Sequence, residues 1–243
     1  MTKKAFTLAE VLITLGIIGV VAALVMPSLI ANYKKKVYVA QLQKAVSTWD
    51  NAMKLMLATD GVEYINDTEF AKAVLDQNPD AECSQNSLQQ CSNAFNILKK
   101  YLKISEVSHK DYNFTYLNGR NAWTFGAYTA TPDGMVYDFD FQRLNNPVSE
   151  LLSEVMSNGT VNIDINGPKG PNIMGRDIFA FIFDVKGNLV PMGSNQDVEL
   201  FEGGYWKDAP SSYCGEPGSS DASMAYGWGC AARIIENGWV MDY

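Results

Sequence analysis

The side chains in this sequence that could carry chemistry are few and far apart. There is one histidine, His109, and the four cysteines stand at positions 83, 91, 214 and 230. No two cysteines form a Cys-x-x-Cys pair, so with a single imidazole no zinc site is expected. Any Ser-His-Asp or Cys-His scheme would have to use His109. The sequence holds no Gly-x-Ser-x-Gly, His-Glu-x-x-His, phosphate-loop or Gly-x-Gly-x-x-Gly motif. Asp138 and Asp140 alternate with aromatics, which places both on one face of a strand. Paired carboxylates can hydrolyse glycosides, but two solvated side chains are the plainer reading. Asp164, Asn166, Asn172 and Asp177 make an oxygen-rich loop of the kind calcium takes, although Gly175 stands where an EF-hand needs its bidentate Glu. A Gly/Pro/Asn turn held by Asx hydrogen bonds accounts for the same residues. The aromatics Tyr205, Trp206, Tyr226 and Trp228 suit a binding patch for sugar or protein, with interface packing the expected use. No catalytic residue is assigned, no enzyme activity is expected, and calcium is the one cofactor option.

Glu10 is the ionisable group in the least hospitable setting. It opens the run Val11 to Ala31, and no other charge occurs before Lys34. Twenty-one helical residues span roughly 32 Å, enough for a hydrocarbon core of about 30 Å. The run is long for the apolar region of a secretory signal, roughly 7–15 residues. A carboxylate at its edge is costly unless paired. Charge is divided in the same way. Residues 1–36 carry five Lys and one Glu, a net of +4, which leaves −12 on residues 37–243 of the overall −8. So acidic a remainder argues against non-specific nucleic-acid binding.

Lys3-Lys4-Ala5-Phe6-Thr7-Leu8-Ala9-Glu10 followed by an apolar helix resembles the class III leader of type IV pilins and type II secretion pseudopilins. The resemblance covers about 30 residues. It implies cleavage by a prepilin peptidase between Ala5 and Phe6, with Ala5 in place of the usual Gly, and N-methylation of Phe6. Glu10 becomes the fifth mature residue and Pro27 the twenty-second, where many type IV pilins have a proline that kinks or melts the helix. Processing would leave 238 residues with a formal charge of −10. In a helical filament the Phe6 amine of one subunit would meet the Glu10 carboxylate of its neighbour, a pair strongly attractive in an apolar core, where either group alone is costly. Charge counting does not settle orientation, because Lys3 and Lys4 face Lys34, Lys35 and Lys36 across the run. The resemblance implies a cytoplasmic N-terminus and an external head. It further implies a single-pass precursor in the bacterial inner membrane that assembles into a filament of the cell envelope or surface. Its partners would be other pilin or pseudopilin subunits, the prepilin peptidase and an inner-membrane assembly platform. The function implied is a pilin-like subunit for protein secretion, adhesion or motility. The alternative is a membrane-anchored binding module for adhesion or DNA uptake; an anchored enzyme is less favoured.

An external head makes disulfides reasonable. Three connectivities are open. The local pairing, Cys83–Cys91 with Cys214–Cys230, is preferred because each bond would staple a segment that hydrophobic patterning leaves unspecified. A Cys214–Cys230 bond would enclose a Gly/Ser-rich loop that resembles the disulfide-bounded C-terminal loop of type IV pilins. Some pseudopilins also bind calcium in the head, which is what the Asp164 to Asp177 loop is weighed against. That loop and the segment from Cys230 to Trp239 resemble stretches of other bacterial pseudopilin-like proteins.

The secondary structure around these groups follows from hydrophobic period. Val37, Leu42, Val46, Trp49, Met53 and Met56 recur at helical spacing, so the helix continues past the lysines to Gly61. Thr68 to Leu75, Leu88 to Leu102, Pro147 to Met156 and Cys230 to Glu236 also read as helix. Period-two segments predict hairpins Tyr112–Tyr116 with Ala122–Phe125, Ala127–Ala130 with Gly134–Phe139, and Ile178–Asp184 with Leu189–Met192, plus a strand Val161–Ile165. The expected fold is α+β: a long N-terminal helix packed on an antiparallel sheet, a pilin-like lollipop. Its organisation is a leader over 1–5, a transmembrane assembly helix over 6–31, an amphipathic half over 32–60 and an external head over 61–243.

Overall fold

The computed structural model describes residues 7–77, 83–84, 92–104, 106–108, 112–125, 128–141, 144, 159–194, 214 and 226–243. One helix, α1 (Leu8–Asp60), occupies the first 53 residues of this set after Thr7. At 1.5 Å per residue it is about 80 Å long. Thr7 caps its start in extended geometry, and the Gly61 N–H bonds the Leu57 carbonyl at its end. The helix passes through Pro27 without interruption. Pro27 lacks an N–H, so the turn preceding it loses one backbone bond; the turns on either side keep the helix continuous.

The two halves of α1 meet different surroundings. From Leu8 to Ala31 every residue is exposed except half-buried Ala22. In the second half Val39, Leu42, Ala45, Trp49, Ala52, Met53 and Met56 are buried. The stripe is centred differently from the expected one. Val37 and Val46 sit at its half-buried margin, while Ala45 and Ala52 lie at its middle. Small side chains there let the helix axis come close to the sheet.

That sheet is antiparallel throughout. Its strands are β1 (Cys83–Ser84), β2 (Glu106–Ser108), β5 (Tyr128–Ala130), β6 (Val136–Phe141), β7 (Gly159–Asp164), β8 (Ile178–Phe183) and β9 (Leu189–Pro191), in the order β2-β5-β6-β7-β8-β9. β1 pairs with the Phe141 end of β6, beyond the stretch that β5 covers. Between β2 and β5, β3 (Tyr112–Thr115) and β4 (Asn121–Phe125) form a separate two-stranded sheet. Backbone bonds from Thr115 N to the Asn172 carbonyl and from Met174 N to the Thr115 carbonyl, 3.0 and 2.8 Å, tie this hairpin to the loop before β8.

Alternation on β8 shows how the core is divided. Phe179, Phe181 and Phe183 face α1, while Ile178, Ala180 and Ile182 join Phe114, Val136, Met174, Val190 and Met192 on the opposite face. A strand buried on both faces reads as a continuous apolar run, as Ile178–Phe183 does. Trp49 is the anchor on the helix side. Its ring stacks on Tyr137 and Phe141, each 6.2 Å away between centroids, and tilts against Phe183 at 5.7 Å. Trp49 Nε1 donates to the Gly187 carbonyl at 2.9 Å, and the Tyr137 hydroxyl donates to the Ala45 carbonyl at 3.0 Å. Gly187 has φ 77°, and a Cβ there would lie 2.8 Å from Met53 Cβ. The turn between β8 and β9 can rest on α1 only without a side chain at that position.

Two short helices complete the head. α2 (Glu69–Gln77) begins with Thr68 Oγ1 accepting from Ala71 N at 3.1 Å, and α3 (Ser92–Leu102) buries Ala94, Phe95, Leu98 and Leu102. Both contribute to the α1-side core, with Phe70 of α2 against Phe141 at 4.6 Å. The chain closes with α4 (Cys230–Glu236), which buries Cys230, Ala231, Ala232 and Ile234. The expected helix over 147–156, and the part of the expected Leu88 helix before Ser92, lie outside the described residues. The strands β1 and β2 were not expected; two or three residues without apolar alternation leave no period to read.

Candidate functional site

The exposed half of α1 is the feature that the rest of the fold does not use. It is long and apolar enough to cross a membrane by length and composition, and none of its most apolar window is buried. Glu10 is placed at its start by local chemistry. Glu10 Oε2 accepts from the Thr7 N–H and the Thr7 hydroxyl, each at 2.8 Å, and Thr7 Oγ1 accepts from Glu10 N at 3.3 Å. This is a capping box, in which two otherwise unpaired N–H groups of the first turn find partners. The signal for it, Thr-x-x-Glu ahead of an apolar run, is in the sequence; Thr7 is a site residue that attention to Glu10 alone passes over. Ala5 and Phe6 lie outside the described residues.

Where α1 enters the head, two remote stretches of sequence converge on it. The first is the loop from Asp164 to Asp177. The Asp164 carboxylate accepts from Asn166 N (3.1 Å) and Gly167 N (2.7 Å). The Asp177 carboxylate accepts from Asn172 N (2.8 Å) and Ile173 N (2.7 Å). Both aspartates are fully buried. Burial pushes the Asp177 carboxyl up, and the Ile173 and Asn172 N–H bonds pull against that shift. Asn166 Nδ2 donates to the Gly170 carbonyl at 3.1 Å, while Asn166 Oδ1 and Asn172 Oδ1 are buried with no partner among the described residues. The four residues named for calcium are thus brought together. Their carboxylates are turned on backbone N–H groups, and the two amide oxygens are the acceptors left over. Among the described residues no three His, Cys, Asp or Glu side chains converge as a metal-ligating group. These carboxylate–backbone bonds hold the turn.

The second stretch is the C-terminal segment. Cys214 and Cys230 are joined, S–S 2.09 Å, with Cα atoms 4.9 Å apart. A Cβ on Gly175 would fall 2.5 Å from Cys230 Sγ, so the loop and the disulfide are in close contact. Arg233 pairs with Asp242 at 2.7 Å, donates to the Cys214 carbonyl and lies over the Tyr243 ring at 5.1 Å. The Tyr243 hydroxyl donates to the Gly175 carbonyl. Burial holds the Tyr243 phenol above its ordinary range. Cys91 and the Cys83 side chain lie outside the described residues, and with them the Cys83–Cys91 pairing. His109, Tyr205 and Trp206 lie there too, whereas Tyr226 and Trp228 both stand beside Tyr116, at 4.5 and 6.5 Å.

Asp138 and Asp140 do share the sheet face opposite α1, but Asp138 is half-buried rather than fully solvated. β6 is an inner strand, and Asp138 lies opposite Asn162 of β7, whose Nδ2 donates to it at 3.1 Å. Burial pushes the Asp138 carboxyl up to about 6; the Asn162 bond opposes that shift and Asp140 adds to it. Comparison with protein-family models, curated proteins and solved structures found no match to this chain.

Proposed function

We propose that this chain is a pilin-like structural subunit. It is made as a single-pass precursor of the bacterial inner membrane, cut between Ala5 and Phe6, methylated on Phe6 and assembled into a pseudopilus or type IV pilus-like filament. The filament serves secretion, adhesion or motility, with other pilin or pseudopilin subunits, the prepilin peptidase and an inner-membrane platform as partners. One observation carries this reading: a single 53-residue helix buries its second half on the sheet and exposes its apolar first half all round. A helix apolar on every face needs lipid or other helices around it. The stem can use both in turn, bilayer before assembly and neighbouring stems after it.

Glu10 has a different task in each state. In the single chain its carboxylate caps the Thr7 turn. In the filament the same carboxylate pairs with the Phe6 amine of an adjacent subunit and fixes axial register. Glu10→Gln separates the two, since a Gln side-chain oxygen still accepts from Thr7 but carries no charge. Yield of filaments sheared from cells is the test. Glu10→Gln is expected to abolish filaments while the precursor still accumulates in the membrane, and Thr7→Ala is expected to assemble. Normal filaments from Glu10→Gln would contradict the register role.

A further inference from the structure

We propose that the base of the head carries a built site for the headgroup phosphate of an anionic phospholipid. This rests on the reading of the stem as a membrane span. A cleft of about 470 Å³ opens between α1 and the two stretches that converge on it. Lys34, Lys35 and Tyr38 line it from α1, Arg176 from the Asp164–Asp177 loop, and Met241 and Tyr243 from the C-terminal segment. Lys34 lies three residues beyond Ala31, and Tyr38 seven. They therefore stand about 5 and 10 Å along the helix from the end of the apolar run. A headgroup layer is about 5–8 Å deep on each side of the hydrocarbon, so the cleft opens at that level.

The cations hold no close ion pair, although Lys35 is near enough to Asp242 to help Arg233 hold that carboxyl below its ordinary value. Among the described residues, neither Lys34, Lys35, Lys36 nor Arg176 forms an ion pair. The acids nearby are occupied: Asp164 and Asp177 accept backbone N–H bonds behind the cleft, and Asp242 is held by Arg233. The Asp177 bonds hold the turn that projects exposed Arg176. On the other flank of the same lysines, Trp239 and Val240 line a second cleft with Lys35 and Lys36. Val240 is 53% exposed, and Trp239 is turned by a φ of 64°. Trp239 is half-buried against the α1-side core and Val240 is the exposed apolar side chain, so an aromatic and an aliphatic residue stand beside the lysines, as at a membrane interface. Residues 37–243 sum to −12, so the head as a whole is repelled by anionic lipid and an approach is favoured with the lysines of α1 leading.

Native mass spectrometry of the full chain, purified as a monomer in detergent and offered phosphatidylglycerol or phosphatidylcholine, tests the site. Phosphatidylglycerol is expected to be retained in preference. Lys35→Gln and Arg176→Gln should each lower that retention about five-fold, the worth of one cation near an anionic surface. Arg120→Gln, on the β3–β4 turn, should leave it unchanged, and Arg176→Lys should restore most of what Arg176→Gln loses. Millimolar inorganic phosphate should not displace the lipid. Wild-type retention by Arg176→Gln would overturn the proposal, leaving the lysines as an ordinary membrane flank. Equal retention of both lipids would overturn it, as would displacement by free phosphate. So would Lys35→Gln weakening self-association while lipid retention stays unchanged. Because the readout is on monomer, filament loss with lipid preference intact would count against the assembly reading alone. Filaments without lipid preference would count against this site alone.

Discussion

Asp138 shows at the scale of a residue how position decides charge. Its carboxyl sits at about 6 in the folded chain because burial disfavours the ion, while an unfolded Asp titrates near 4. Between those values the folded state holds more proton than the unfolded one, so stability falls as pH rises. The contribution is complete below about 4 and is lost as pH passes 6, an amount on the order of 3 kcal/mol. Asp138→Asn is therefore expected to flatten the thermal-melting profile between pH 4 and 7 and to raise Tm at pH 7.5; an unchanged slope would show that Asp138 does not titrate there. Trp49 makes the complementary case. Trp49→Phe keeps much of the aromatic volume but loses the bond to the Gly187 carbonyl, and denaturant unfolding should show a loss of about 1–3 kcal/mol. Trp49→Ala should cost about 3–5 kcal/mol. Trp49 was legible as core from its place in the helical stripe. The burial of Asp138 was not, because alternation tells that Asp138 and Asp140 share a face and nothing about what lies on that face.

At the scale of an element, α1 was readable nearly end to end because its apolar pattern and its closing Gly61 agree. Leu42, Trp49, Met53 and Met56 of its stripe were read, but Val37 and Val46 stood in for buried Val39 and Ala45, and Ala52 was passed over, because alanines at the centre of a close helix–sheet contact carry little hydrophobic signal. The three hairpins and α4 also followed from period and turn residues. The pairing of β1 with the end of β6, and the separation of the β3–β4 hairpin from the main sheet, depend on contacts distant in sequence that no local pattern encodes. The Cys214–Cys230 bond fastens α4 to a loop 16 residues earlier. Removing it with Cys214→Ser and Cys230→Ser together should lower stability by about 2–4 kcal/mol. The loss should appear in chemical unfolding under non-reducing conditions and vanish when wild type and variant are compared in reductant. The Gly187→Ala variant should be less stable than wild type, since the new methyl meets Met53 at a left-handed position.

Across the whole molecule the apolar, basic and acidic parts of the chain occupy separate zones. The apolar half of α1 projects from the head, the lysines stand where the helix enters it, and the acidic excess belongs to the remainder. The Asp164–Asp177 loop, conspicuous in sequence as an oxygen-rich segment, acquires a place in this arrangement: it turns its carboxylates inward and carries Arg176 to the base of the head. Its residues were legible and its location was not, because only the folded chain brings position 176 beside position 35. As a pilin-like subunit the chain keeps its apolar helix and loses only the short basic segment before it. Mass spectrometry of the N-terminal peptide, from the protein isolated from membranes of bacteria that contain a prepilin peptidase, tests this processing most directly. A peptide beginning with N-methylated Phe6 is expected. A chain that keeps Met1 through Ala5, or one cut beyond Ala31 so that the head is released without its stem, would contradict it.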